Sequence, residues 1–442
     1  MAAPASGAGK TTVATGLMAA LRARGERVAG FKVGPDYIDP GYHALATGRP
    51  GRNLDPVLVG ERRIAPLFAH GSARAGVSVV EGVLGLFDGR SGTDGFGSTA
   101  HVAGLLDALV LLVVDARGQG SSIAALLHGF TTYRPGVRIA GVVLNGVGSE
   151  RHARVLTEAA ETVGVPVLGA IPRDVDLGLP SRHLGLVTAG EHARAAHTVA
   201  AMGEAVAASV DLDAVVGVAS AAPSRIVAPW DPGSEVDGTV GSPVIALAAG
   251  PAFGFDYPEH AELLRAAGAE VAPFDPLRDE RLPGGTAGVV LPGGFPETHG
   301  EELSANEPLR ARVAALARAG RPVHAECGGL LYLSRELDGR PMCGVLDMTA
   351  RMSGTLSLGY RDAVAATGSA RYAAAERVTA HEFHRTQASA RCGAGPAWHW
   401  RGAGGEPVSE GFVHGSVHAS YLHTHPAGCP SSVRRFVAGC AR

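Results

Sequence analysis

The sequence predicts a two-domain α/β protein, each half a parallel sheet with helices on both faces. Two observations predict it. Short β-branched apolar runs, continuous rather than alternating, recur between longer mixed stretches, as strands buried on both faces require. The series stops near residue 212, and a second one starts after an interval rich in Ala, Ser, Pro and Gly.

The chain opens on its most informative stretch, Pro4-Ala5-Ser6-Gly7-Ala8-Gly9-Lys10-Thr11-Thr12. From Gly7 this reads as the end of a P-loop running straight into a helix. Gly7 and Gly9 let backbone N–H groups turn inward around a phosphate, Lys10 reaches the β- and γ-phosphates, and Thr11 offers its hydroxyl to Mg²⁺. Val13, Leu17 and Leu21 then recur at four-residue spacing, with Gly25 where a C-cap belongs. Pro4 stands where the pattern wants its first glycine. Only three residues precede the loop, so we expect that the true start lies upstream and supplies the missing central strand.

The runs Val28–Val33, Val77–Val83, Ala108–Asp115, Ile139–Asn145 and Val165–Ile171 are strands, with helices such as Gly120–His128 and Glu150–Val163 between them. Carboxylates gather where strands end: Asp36 and Asp39 after the first, Asp88 after the second, and Glu81 inside an apolar run, where a charge needs a partner. Mg²⁺ takes few protein ligands and suits such a cluster. Asp36, Asp39 and Asp88 also sit beside Pro and Gly, as turn formers do. Asn145, at the end of its strand, either reads the adenine edge or caps a loop.

After the interval 213–242 come strands Val244–Ala248, Val271–Phe274, Gly288–Leu291 and Pro322–Glu326, with helices Pro258–Ala267 and Ala305–Ala319. The last strand runs into Cys327-Gly328-Gly329 and an apolar helix, the arrangement of a nucleophile elbow. A thiol there meets a helix N-terminus, which favours thiolate. The turn Pro292-Gly293-Gly294 offers a second oxyanion donor. A cysteine nucleophile needs a base, and His418, His423 and His425 lie in the tail.

The bulk numbers exclude several classes. The 39 basic and 42 acidic residues nearly cancel with no basic face, which argues against nucleic acid. Ala108–Val114, the best apolar run, is too short to span a bilayer, and no signal peptide is present, so no membrane partner is expected. Five scattered cysteines without C-x-x-C spacing fit a reducing cytoplasm and no zinc site.

Together these stretches resemble the cobyrinate/hydrogenobyrinate a,c-diamide synthases of cobalamin biosynthesis, along nearly the whole chain. The resemblance is carried by FKVGPDYIDPGYH (31–43), RNLD (52–55), VEGVLGLFDG (80–89), LPSRHLGLV (179–187), LPGGFPE (291–297), AECGGLLYL (325–333) and HEFHRT (381–386). It implies a dethiobiotin-synthetase-like P-loop NTPase domain over 1–212, a linker over 213–242, and a flavodoxin-like class I glutamine amidotransferase domain of the triad type over 243–442. Lys10, Thr11 and Thr12 would bind ATP·Mg²⁺, with Asn145 beside them. Thr11, Glu81 and Asp36 would serve the metal, while Asp36, Asp39 and Asp88 would serve the substrate carboxylate and its acyl phosphate. Cys327 would attack glutamine with His423 as its base, and the ammonia would amidate the a- and c-acetates of a corrin. Such amidotransferases commonly carry Glu two residues after the histidine, where this chain has His425. The third triad member is therefore open, with Glu326 or a backbone carbonyl as candidates. A related tetrapyrrole amidase (cobyric acid synthase or nickel-sirohydrochlorin a,c-diamide synthase) and a partitioning ATPase are the alternatives. The oligomeric state is open, a homodimer included.

Overall fold

The computed structural model describes residues 1–173, 181–182, 185–191, 194–223 and 227–442, so much of the 179–187 motif lies outside it. The chain divides into two compact units, Met1–Trp230 and Asp231–Arg442.

The first unit follows the apolar runs closely. Strands β1 (Val28–Val33), β2 (Arg52–Leu54) and β3 (Val77–Glu81) form one parallel group in the order β2-β1-β3. Strands β4 (Val110–Asp115), β5 (Ile139–Val147) and β6 (Val167–Pro172) form another in the order β4-β5-β6. Residues 1–3 lie between the groups and bond to both. The Met1 carbonyl accepts from Gly82 N at 2.8 Å, while Ala2 N donates to Leu111 O at 2.8 Å and Ala2 O accepts from Val113 N at 2.7 Å. Three residues thus do the work of the central strand that the sequence seemed to lack, placing the loop that follows at the carboxyl ends of β3 and β4. That loop feeds helix α1 (Lys10–Ala23), and α2 (Asp39–Thr47) follows β1. Helix α1 packs against α3 (Ala195–Ser209), where a Cβ on Gly16 would lie 2.7 Å from the Met202 carbonyl, so only glycine permits the approach.

The expected linker holds structure of its own. Helices span Leu212–Ser220 and Pro232–Val236, Trp230 is buried, and its backbone N–H bonds to Pro66 O at 2.9 Å.

The second unit has β7 (Val244–Ala248), β8 (Glu270–Phe274), β9 (Thr286–Leu291) and β10 (Val323–Glu326), with helices α4 (Pro258–Ala266) and α5 (Glu307–Arg318). Its main sheet runs β8-β7-β9-β10-β16-β15, parallel as far as β16 (Val417–Ser420) and closed by antiparallel β15 (Phe412–His414). A second, largely antiparallel sheet centres on the long hairpin β11 (Thr349–Ala365) and β12 (Arg377–Ala388), joined by β13 (Trp398–Arg401), β14 (Pro407–Glu410) and β17 (Leu422–His423). Helix α6 (Gly328–Leu333) leaves β10, and α7 (Pro430–Cys440) ends the chain. No helix among the described residues is long and apolar enough to cross a membrane.

Candidate active sites

In the first unit the P-loop closes as its glycines allow. Gly7 and Gly9 have φ of 82° and 86°, and a Cβ on Gly9 would lie 2.2 Å from Asn145 Nδ2. That amide donates to the Ala8 carbonyl at 3.0 Å, so in this structure Asn145 holds the loop, the second of its two expected roles. Lys10 is buried and donates to Leu84 O at 2.9 Å. Thr11 donates to Glu81 Oε1 at 2.7 Å and faces Asp39 Oδ2 at 3.2 Å; Thr12 follows in α1, half-buried.

The carboxylates sort into two kinds. Glu81, fully buried, accepts from Thr11, from Lys32 at 2.7 Å and, through Oε2, from His43 at 2.7 Å. Asp39 also receives the Lys32 ammonium. Asp36 instead caps the entry to α2, its Oδ1 accepting from Ile38 N at 2.8 Å and Asp39 N at 3.0 Å. Asp88 closes its own turn on Gly85 N at 3.0 Å. It is therefore Asp39, rather than Asp36, that joins Thr11 and Glu81. The RNLD stretch supports them from behind, since Asn53 donates to the Gly34 and Asp36 carbonyls at 2.8 and 2.7 Å.

Lys32 and His43 were not singled out in the sequence. Lys32 sits inside an apolar run as Glu81 does, and the same signal would have found it. Burial works against both charges, but Asp39 and Glu81 keep Lys32 protonated, and Lys32 with His43 holds Glu81 below the usual carboxylate range. Burial and neighbouring Asp36 push Asp39 up. Glu81 and Asp39 present hard oxygens beside Thr11, of the kind that suits Mg²⁺. Among the described residues no group of three or more His, Cys, Asp or Glu forms a metal cage. A cation here would rest on Thr11 and one or two carboxylates, with phosphate oxygens beside them.

In the second unit Cys327 occupies the elbow at φ 47° and ψ −100°, strained for a non-glycine residue. Its N–H donates to Ser420 O at 2.7 Å, tying the elbow to the end of β16. A Cβ on Gly329 would lie 2.2 Å from Leu291 O, so helix and strand meet with nothing between them. The Gly293-Gly294 turn packs on Gly328, and a Cβ on Gly293 would lie 2.3 Å from His423 Cε1. Elbow, glycine turn and imidazole therefore share one spot. The Cys327 thiol faces Phe383 O at 3.7 Å, so the HEFHRT strand runs over the nucleophile. In that strand Glu382 pairs with Arg361 at 2.8 Å and His384 at 3.1 Å, further neighbours the sequence reading left unassigned.

The other histidines have different surroundings. His425 lies against Tyr257, ring centroids 4.0 Å apart, and accepts Ala427 N at 3.2 Å. His418 is buried among His324, Tyr372 and Trp398. Glu326 Oε2 lies 3.9 Å from His423 Nδ1.

Burial of the elbow works against the thiolate that the helix N-terminus favours. Burial, then Glu297, push the Cys327 thiol up, and the Gly328 N–H opposes them. Burial takes His423 down to about 4 despite Glu326. Both partners rest neutral.

Comparison with known proteins agrees with this geometry. Residues 1–187 match the CobQ/CobB/MinD/ParA nucleotide binding domain, and 244–428 the CobB/CobQ-like glutamine amidotransferase domain. The chain is 61% identical to a hydrogenobyrinate a,c-diamide synthase of Mycobacterium tuberculosis over 100% of its own length and 97% of the relative's. It is 54% identical to that of Streptomyces coelicolor (100% and 96%) and 40% identical to a cobyrinate a,c-diamide synthase of Syntrophotalea carbinolica (100% and 98%). The chain belongs to the cobyrinate/hydrogenobyrinate a,c-diamide synthase family. For this diamide synthase family the two centres are an ATP-using half and a glutamine-using half.

A neutral thiol and imidazole set the pH response. A base acts only while unprotonated, so with His423 as the expected base activity falls as pH drops through its pKa. Glutaminase kcat/KM is expected to stay flat from about pH 5.5 to 8 and to decline only toward pH 4. An acid limb in the ordinary imidazole range, read from glutamate release, would contradict this.

Proposed function

We propose that the chain amidates the a- and c-acetates of hydrogenobyrinate, the metal-free corrin, in two ATP- and glutamine-dependent steps in the cytoplasm. The observation that carries this reading is the pair of centres in one chain: a P-loop whose Thr11 meets Glu81 and Asp39, and a strained Cys327 sharing a glycine turn with His423. The preference for the metal-free macrocycle is supported by relatives of that name at 51–61% identity, against 40–42% for those named for cobyrinate. Five free cysteines support the location.

A carboxylate resists ammonia, and phosphorylation turns its oxygen into a good leaving group. Lys10 and the loop amides are placed to take up the charge on the transferred group, and Lys32 holds Asp39 and Glu81 in position beside Thr11. Mg²⁺, held by Thr11 with Glu81 or Asp39, would neutralise phosphate charge. At the other centre His423 takes the thiol proton as sulfur attacks the glutamine amide carbon. The Gly328 and Gly294 amides, whose backbones pack together, would donate to the oxyanion. Ammonia leaves, and water then cleaves the thioester to glutamate.

Incubation with ATP, Mg²⁺, glutamine and either macrocycle, followed by mass analysis, tests the substrate. We expect the a,c-diamide, with kcat/KM for the metal-free corrin at least about tenfold above that for the cobalt form. First amidation at a propionate, or equal use of both corrins, would overturn the proposal.

A further inference from the structure

Behind the amidotransferase centre lies a buried cation that the reaction does not touch. Arg371 is 1% exposed, and no carboxylate pairs directly with its guanidinium in the described contacts. Nη1 lies 3.1 Å from His260 Nε2, and Nε donates to Tyr372 Oη at 3.3 Å. Tyr372 Oη lies 2.9 Å from Thr424 Oγ1, which donates to Glu326 Oε1 at 2.8 Å.

The direction of this chain is forced. Arginine only donates and a carboxylate only accepts, so each hydroxyl between them accepts from the Arg371 side and donates toward Glu326. At the other end His260 accepts at Nε2 and donates from Nδ1 to Asp256 at 3.0 Å. Aligned bonds of this kind reinforce one another in a low-dielectric interior.

What the chain achieves is visible at Glu326. Its Oε1 accepts three bonds, from Thr424 Oγ1, from Thr424 N at 3.2 Å and from His324 Nε2 at 3.1 Å. Its Oε2 is left facing His423 Nδ1 at 3.9 Å, with the side chain 12% exposed. One oxygen is pinned and the other aimed at the base, a separation that a small closure on substrate would convert to a hydrogen bond.

We propose that Arg371, Tyr372 and Thr424 form an internal strap that holds Glu326 under His423, so that Glu326 orients the base and the three strap residues are positioning residues for glutamine hydrolysis. The strap takes the place of a carboxylate two residues after the base. It rests on the reading of Cys327 and His423 as nucleophile and base.

Thr424→Val keeps the side-chain volume and the backbone N–H but ends the chain, Thr424→Ser restores the hydroxyl, and Tyr372→Phe removes one oxygen upstream. With glutamine varied, Thr424→Val is expected to lower kcat about tenfold with KM for glutamine within about twofold, the loss of one charge-assisted bond. Tyr372→Phe should follow in the same direction, and Thr424→Ser should recover most of the rate. Melting temperature is read for each, so a variant that fails to fold is replaced by the other. Wild-type kcat in a folded Thr424→Val or Tyr372→Phe protein overturns the proposal, as does a Thr424→Ser protein no better than Thr424→Val. Cys327→Ala run alongside separates the two claims. If it abolishes glutamate release while the strap variants do nothing, only the strap fails; if it releases glutamate normally, the underlying reading fails.

Discussion

Cys327→Ala is expected to abolish glutamine-driven amidation and to leave ammonia-driven amidation within about twofold of the parent enzyme. Removal of a nucleophile from a cysteine–histidine pair leaves only binding and oxyanion stabilisation, a loss of about 10³-fold or more in kcat. The survival of the ammonia reaction follows from where the charges sit. Lys10, Lys32, Thr11, Asp39 and Glu81 all belong to the first unit, whereas Cys327 and His423 belong to the second. The structural cost should be small, since the thiol's contact to Phe383 O is long and the turn depends on backbone bonds. The measurement is corrin diamide formed with 100% ammonium salt or 100% glutamine as nitrogen source. Glutamine-driven turnover surviving in Cys327→Ala, or ammonia-driven turnover lost with it, would contradict independent centres.

Lys32→Met is expected to damage both stability and chemistry. The ammonium lies 2.7 Å from Glu81 and also contacts Asp39, with all three side chains almost wholly buried. Breaking a buried pair by removing one partner strands charge in low dielectric and costs about 3–5 kcal/mol. For a unit of this size that is a drop of about 10 °C in Tm. Amidation should fall about 10²-fold or more with either nitrogen source, because Asp39 and Glu81 lose the charge that sets them beside Thr11. Glutamate release should persist. Thermal unfolding and the two-donor assay check both parts, and an unchanged Tm would mean that the cluster is wetter than its burial implies.

Much of the fold was legible because its sheets are parallel and doubly covered. Val28–Val33 and Val244–Ala248 are strands with the bounds read from the sequence, and Pro258–Ala266 is one residue shorter than expected. The hairpin β11–β12 was not legible. Its burial alternates irregularly through Met352–Ser357, where the register shifts, so no clean period of two survives to be read. At the sites, residue type was the limit rather than spacing. Glu81 stood out as a charge in an apolar run, and Lys32, the group that makes it tolerable, carries the same signal in Val28–Val33 but was passed over. Asp36 and Asp39 look alike in sequence, and only the start of α2 decides that one caps the helix while the other faces Thr11. Arg371 carries no local signal, because His260 and, through Tyr372, Thr424 come from distant parts of the second unit.

The protonated state of Cys327 has a consequence for how the protein ages. Oxidants such as hydrogen peroxide attack thiolates far faster than thiols, so a sulfur kept neutral by burial resists sulfenic acid formation. In the proposed reaction the anion would arise as His423 takes the proton during attack on a bound amide. Idle enzyme is therefore guarded against damage by the same burial that makes its sulfur a poor nucleophile at rest.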